Sequence, residues 1–121
     1  MSKSNAKYRE LTQGVSAGLV ALRGSTPEVM KSFHELGRAA TAPGALDRKT
    51  KELIALALGV AARCDPCIGF HAQTLAKLGA TRQEIDEMLG VTTYMGGGPS
   101  LMYAANAIAA FEEFSQATLA V

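Results

Sequence analysis

Residues 47–71, with the sequence DRKTKELIALALGVAARCDPCIGFH, decide the fold of this chain. An aspartate stands before a long apolar segment, which is the pattern of an N-cap residue followed by a helix. Apolar residues fall on nearly every face of that helix, so we expect it to be central. Asp65 and Pro66 then have the residue types of a second helix start, with Asp65 as its cap and Pro66 at its first position. The segment therefore predicts two consecutive helices joined by a short turn.

Similar start and stop signals recur outward from this segment. Ser25 with Glu28, and Thr81 with Glu84, have the spacing of a capping box. No convincing strand-like alternation is found. At 121 residues the chain has the size of one domain, so we predict a single all-α domain, residues 1–121, with about six helices. The first two expected helices span residues 8–22 and 25–37, and the second alternatively ends at 42–44. The others span residues 48–62, 65–78, 81 to the glycines at 96–98, and 99–116.

Composition and charge exclude several classes of function. The 12 Lys and Arg and 11 Asp and Glu are scattered along the chain, so we do not expect nucleic-acid binding. The longest apolar stretch, residues 53–62, is shorter than the roughly 18 residues of a membrane-spanning helix, so we expect no membrane insertion. No apolar segment follows the charged N-terminus, which favours the cytoplasm. A mean hydropathy of +0.11 in so short a chain predicts an oligomer.

The chemistry-bearing residues lie around the predicted turn. The chain has 2 cysteines, Cys64 and Cys67, and a bridge between them closes too small a loop to act mainly as a structural staple. A cysteine reacts as thiolate, and Cys67 in the first turn of a helix would face the positive end of the helix dipole. His71 lies one turn further on the same face and can accept its proton. Cys64 is placed to resolve a sulfenic acid into a disulfide. This pattern predicts thiol redox chemistry.

Glu52 is a fourth candidate site residue because its carboxylate precedes an apolar run. If the two helices form an antiparallel hairpin, Glu52 can orient the imidazole of His71; alternatively, it is an ordinary glutamate near a helix start that offsets the dipole. Ideal geometry puts Glu52 on the order of 15 Å below the end of its helix and His71 about 6 Å past the turn. A steep crossing, an early helix end or a bridging water must then close the gap.

Other interpretations of the same residues remain open. Cys64, Cys67, His71 and Glu52 are also a possible set of zinc ligands. The protein can alternatively be a redox-sensing oligomer without turnover, or a general disulfide oxidoreductase. His34 is interpreted as a helix-surface or packing residue.

The spacing of these residues resembles a known signature. Glu52, a gap of eleven residues, Cys64-Asp65-Pro66-Cys67, a gap of three and His71 is similar to the motif of the alkylhydroperoxidase D and carboxymuconolactone decarboxylase superfamily. The similarity covers about residues 33–114. It departs from the best-known peroxidases of that superfamily in having Asp65-Pro66 between the cysteines, where those enzymes carry a histidine.

The resemblance implies an all-helical fold assembled as a homotrimer or homohexamer, and a thiol-dependent peroxidase. In such an enzyme Cys67 would react with the hydroperoxide substrate and Cys64 would resolve it. Glu52 and His71 would form the proton relay. A dithiol protein of thioredoxin-like or lipoyl type would supply the reducing equivalents, and no cofactor or metal is implied.

Overall fold

Six α-helices make up residues 7–119, the part of the chain that the structure describes. The structure is a computed structural model. Within these residues there is no strand, so the predicted all-α fold with about six helices is confirmed. None of the described helices combines the length and the apolar content that crossing a membrane requires. The helices are α1 (Lys7–Ser25), α2 (Pro27–Thr41), α3 (Arg48–Ala61), α4 (Asp65–Lys77), α5 (Arg82–Gly96) and α6 (Gly98–Leu119).

The hydrophobic core lies between α4 and α6, and α3 and α5 close its sides. Ala104, Ala107 and Ala110 of α6 are buried in this contact. Their small side chains allow α6 to approach its neighbours closely, since the distance between packed helices depends on the side chains at the contact. The other core side chains with almost no exposure are Tyr8, Leu56, Val60, Ile68, Ala72, Leu75 and Ile85.

Two helices begin at the predicted cap residues. The Asp47 carboxylate accepts a hydrogen bond from the backbone N–H of Thr50 at 2.8 Å and starts α3. At α5, Thr81 and Glu84 form the complete capping box, with each side chain accepting from the backbone N–H of the other. Both signals are local in sequence, and both predictions are confirmed.

Two other predicted caps are wrong. Ser25 is the last residue of α1, and its hydroxyl donates back to the carbonyl of Leu22, so it cannot cap α2. Thr26 takes the cap position of α2 without a side-chain cap bond. Asp65 is the first residue of α4, and the cap is Cys64. The Ser25 hydroxyl is bonded within α1, and the Asp65 carboxylate is bonded to side chains of α1 and α6.

The second helix has an apolar face that the rest of the chain does not cover. It continues past Gly37 to Thr41, and none of its residues is buried. Val29, Phe33 and Leu36, which recur at helical spacing, are 66%, 71% and 63% exposed. Because contiguous exposed apolar surface usually marks an interaction site, this face is available to a partner.

The first helix is fixed by contacts with distant parts of the chain. Gly69 of α4 makes room for it, since a Cβ there would lie 2.7 Å from Thr12 Cγ2 and 3.4 Å from Tyr8 Cδ1. The buried carboxylate of Glu113 accepts from the backbone N–H groups of Tyr8 and Arg9 at 2.9 and 2.8 Å. These first N–H groups of a helix lack partners within the helix, and a negative charge also offsets its dipole. Glu113 therefore caps α1 from α6.

The docking of α1 predicts the effect of filling the space at Gly69. Gly69→Ala should lower the free energy of unfolding by about 1–3 kcal/mol, because the new methyl group must displace Thr12 or Tyr8. Gly90→Ala is the matched control, since nothing lies within 4 Å of a Cβ at this exposed helical position. Alanine there should stabilise the protein by up to about 1 kcal/mol. Urea unfolding measures both values, and equal effects would contradict close packing at Gly69.

Candidate functional site

The turn from α3 to α4 fixes the position of the first cysteine. Arg63 donates its backbone N–H to the carbonyl of Val60 at 3.1 Å, and Cys64 donates to the carbonyl of Gly59 at 3.0 Å. These are the two bonds of a Schellman motif. Arg63 has the left-handed φ of 58° that the motif requires. Cys64 both completes this motif and is the N-cap of α4. The end of one helix thus sets the start of the next.

The two cysteines are joined in a disulfide across the first turn of α4, with their Cα atoms 5.2 Å apart. Cys64 Sγ accepts a hydrogen bond from the backbone N–H of Cys67 at 3.2 Å. The helix-terminal N–H expected to favour the Cys67 sulfur is therefore directed at Cys64. A backbone N–H at a helix start is the kind of donor that stabilises a thiolate, and here this donor faces Cys64 and not Cys67.

His71 and Glu52 are in direct contact, with His71 Nδ1 and Glu52 Oε1 2.7 Å apart. The offset expected between ideal helices is therefore closed by direct contact and not by a bridging water. A Cβ at Gly59 would lie 3.2 Å from Cys67 Cβ, so α4 begins beside the last turns of α3 and not beyond its end. From that contact Glu52 lies about 10.5 Å along α3 and His71 about 6 Å along α4. The remaining offset is within reach of the two side chains.

The contact with Glu52 sets the proton positions on the imidazole. Glu52 is 4% exposed, whereas the His71 side chain is 35% exposed. Because a carboxylate accepts hydrogen bonds, the contact fits the tautomer of His71 that has its proton on Nδ1. In the neutral ring this leaves the lone pair on Nε2, which is then the nitrogen able to accept a proton from a thiol. The orienting arrangement predicted for Glu52 and His71 is thus present in the geometry.

A groove of about 870 Å³ runs beside α2 and reaches His71 and Glu52. Apolar side chains of α2, including Met30 and Phe33, line it. Glu52 is the one acidic residue among the described lining residues, and it faces His71. The positively charged lining residues are Arg23, Lys31, Arg38 and Arg48. The groove therefore offers an apolar wall and an excess of positive charge beside the imidazole. Sequence reasoning missed it because it depends on how α2 lies relative to α3.

Asp65, which lies between the cysteines, points toward other helices. Its Oδ1 accepts from the Tyr8 hydroxyl at 2.9 Å and from Asn106 Nδ2 at 3.2 Å. Tyr8 comes from α1 and Asn106 from α6, so two distant elements hold this carboxylate. The sequence carried no signal for either partner, since both pairings connect residues more than 40 positions apart.

Among the described residues, no cluster of side chains matches the zinc site considered from the sequence. No group of three or more His, Cys, Asp or Glu side chains among them is arranged to hold a metal ion. The two sulfurs face each other in a bond, and Glu52 faces His71. The four candidate residues thus form two pairs and not one coordination shell.

Known proteins share both the sequence pattern and the fold. Residues 27–110 match the sequence model of the carboxymuconolactone decarboxylase family. A crystal structure of a protein of this family from Legionella pneumophila is 58% identical, covers 91% of this chain and 98% of that chain, and superimposes with a TM-score of 0.89.

Two further relatives agree with this assignment. A family protein from Thermotoga maritima, with a suggested involvement in the antioxidative response, is 34% identical with a TM-score of 0.70; the match covers 76% of this chain and 95% of that chain. An uncharacterized protein of Cupriavidus necator is 42% identical over 92 residues, which are 76% of this chain and 81% of that protein. The chain therefore belongs to the carboxymuconolactone decarboxylase family.

Proposed function

We propose that this protein is a thiol-dependent peroxidase that reduces a hydroperoxide through the Cys64–Cys67 pair. The observation that carries the proposal is the disulfide at the start of α4 together with the His71–Glu52 pair one turn further along the helix. A dithiol, a base and a residue that orients the base are what such a reaction needs. The suggested antioxidative involvement of the Thermotoga maritima relative is consistent with it.

The proposed cycle begins with the reduced pair. His71 Nε2 accepts the proton of the Cys67 thiol, and the thiolate attacks the terminal peroxide oxygen. The O–O bond breaks, the alcohol leaves with the proton returned by the imidazolium, and Cys67 becomes a sulfenic acid. Cys64 then attacks the Cys67 sulfur and releases water. An external dithiol reduces the resulting disulfide through a mixed disulfide. In total the peroxide takes two electrons, and the external dithiol is oxidised.

Cys67 is assigned the attack on peroxide because His71 lies four residues further along the same helix, within one turn of it. The N–H bond to Cys64 Sγ favours ionisation of the other sulfur. We assign that sulfur to resolution and to exchange with the reductant, where a stable thiolate is a good leaving group. A dithiol protein of thioredoxin-like or lipoyl type in the reducing cytoplasm would regenerate the pair.

Exchanging each cysteine for serine tests this division of roles. Cys67→Ser should reduce dithiol-supported peroxide consumption to the uncatalysed background, because no sulfenic acid can form at position 67. Cys64→Ser should still consume about one equivalent of peroxide, since the first step is retained, but should form no internal bridge. Peroxide assays with peptide mapping of the oxidised protein measure both effects. One oxidation per chain without turnover in the unsubstituted protein would instead indicate a redox sensor, and disulfide exchange without peroxide consumption would indicate a general oxidoreductase.

Removing the imidazole tests the proton relay. His71→Ala should move the pH dependence of thiol alkylation upward by about one pH unit, because the thiolate loses its base and partner. Glu52→Gln should give a smaller shift in the same direction, since the ring stays bonded but loses the facing charge. Lys77→Ala, at the exposed far end of the same helix, is the control and should leave the profile unchanged. An unchanged profile in His71→Ala would eliminate the relay.

We also propose that the protein assembles through α2, as the homotrimer or homohexamer that the family resemblance implies. Its apolar face is exposed in one chain, and a second copy would cover it. Phe33→Asp should therefore dissociate the assembly, since a charge cannot be buried there without a partner. Ser32→Asp puts the same charge on the adjacent exposed position and should leave the mass unchanged. Light scattering coupled to size exclusion gives the mass of each variant. Retention of the oligomer by Phe33→Asp would place the interface elsewhere.

A further inference from the structure

The carboxylate between the two cysteines is held by side chains outside its own helix. Asp65 is the immediate chain neighbour of Cys64 and lies in the first turn of α4 with Cys67. Its Oδ1 receives hydrogen bonds from Tyr8 at 2.9 Å and Asn106 at 3.2 Å. A negative charge at this place acts on both sulfurs, so the groups that bind the carboxylate influence the dithiol.

Tyr8 is fixed tightly enough to act as a permanent donor. Its side chain is 1% exposed, and its backbone N–H is bonded to Glu113. Burial, followed by the hydrogen bond to Asp65, raises the pKa of the Tyr8 phenol well above its usual value. The phenol therefore keeps its proton and donates it to Asp65 throughout the physiological pH range.

Other charged or titratable groups also face this phenol. Tyr103 and Glu113 approach it from α6. On α1 itself, Lys7 Nζ lies 5.5 Å from the Tyr8 ring centroid. None of these three groups lies between the cysteines, so the hydrogen bond from Tyr8 to Asp65 is the contact that links α1 to that segment.

The elements that supply this contact lie partly outside the family match. The matched residues are 27–110, which excludes all of α1 and also Glu113. Because Gly69 has no side chain, α1 can pack closely against α4, the helix that carries Cys67. Glu113 caps the start of α1. The contact thus joins α1, which lies outside the residues matched by the family model, to the segment that carries the two cysteines.

We propose that α1 sets the redox equilibrium of the Cys64–Cys67 pair by holding Asp65 through the hydroxyl of Tyr8. Tyr8 and Asn106 are positioning residues here, and neither touches the reacting atoms. The inference rests on the proposed dithiol chemistry, but it concerns an equilibrium that can be measured even if the protein consumes no peroxide.

The direction of the effect follows from electrostatics. A carboxylate near the sulfurs repels a thiolate, so it disfavours the reduced pair and favours the disulfide. Hydrogen bonds from Tyr8 and Asn106 disperse part of that charge and keep the carboxylate directed at α1 and α6. Removing a donor should make the disulfide harder to reduce. Removing the charge itself should make the disulfide easier to reduce.

Equilibration of the full-length protein with reduced and oxidised glutathione at fixed pH tests this inference. Asp65→Asn should raise the equilibrium constant for reduction about tenfold, which corresponds to about 30 mV. Tyr8→Phe should lower it about threefold, as expected for one lost hydrogen bond. Asn106→Ala should change it in the same direction as Tyr8→Phe, which gives a second reading if one variant folds poorly. Tyr103→Phe is the control, because within the described part of the chain the hydrogen bonds to the Asp65 carboxylate come from Tyr8 and Asn106 and not from Tyr103.

The double variant separates an effect through Asp65 from a loss of structure. In the Asp65→Asn background, Tyr8→Phe should no longer shift the constant as it does in the unsubstituted protein. A shift of the same size in both backgrounds, or a shift of Asp65→Asn and Tyr8→Phe in the same direction, would overturn the inference. If the cysteines exchange with glutathione as described but no peroxide is consumed, the peroxidase proposal fails while this inference stands.

Discussion

The close contact between α3 and α4 at Gly59 and Cys67 is the constraint on which the candidate site depends. Because Gly59 has no side chain, α4 can start alongside the final turns of α3. That overlap brings Glu52 level with the imidazole of His71, although 19 residues separate them in the chain. It also puts the carbonyl of Gly59 in position to accept the N–H of Cys64. One close approach of two backbones thus positions the sulfur, the base and the carboxylate, and a Cβ at position 59 would lie in tight contact with Cys67.

Features that depend on neighbouring residues were predictable from the sequence except for the cap at Ser25, and those set by distant contacts were not. The caps at Asp47 and Thr81 were predicted because the donor and acceptor lie within one turn. Asp65 has the same residue type as Asp47, yet Tyr8 and Asn106 compete for its carboxylate, and a neighbouring sulfur takes the cap position instead. Likewise, the spacing predicted the four candidate residues, and the structure brings them together as the pairs Glu52–His71 and Cys64–Cys67. The sequence left open how the offset between Glu52 and His71 is closed, because the overlap of their helices depends on packing.

Two buried carboxylates have different partners in this fold. Glu113 accepts from two backbone N–H groups and holds a helix end in place, so it is explained by structure. Glu52 faces a half-exposed imidazole, and this side chain would otherwise sit beside apolar neighbours at a cost in desolvation. A buried carboxylate bonded to an imidazole at the edge of a groove can orient that ring for proton transfer. This contrast supports assigning chemistry to Glu52 and architecture to Glu113.

The path of the main chain around the cysteines is defined by the helix-terminating bonds of Arg63 and Cys64 and by the packing of Gly59. The sulfur–sulfur link spans a segment whose two ends are already fixed by these contacts. Reduction of the disulfide therefore requires little rearrangement of the backbone, and the chain gains little conformational entropy when the bond is broken. A scaffold of this kind lets a protein alternate between oxidised and reduced forms many times without partial unfolding, and so without transiently exposing its interior to aggregation.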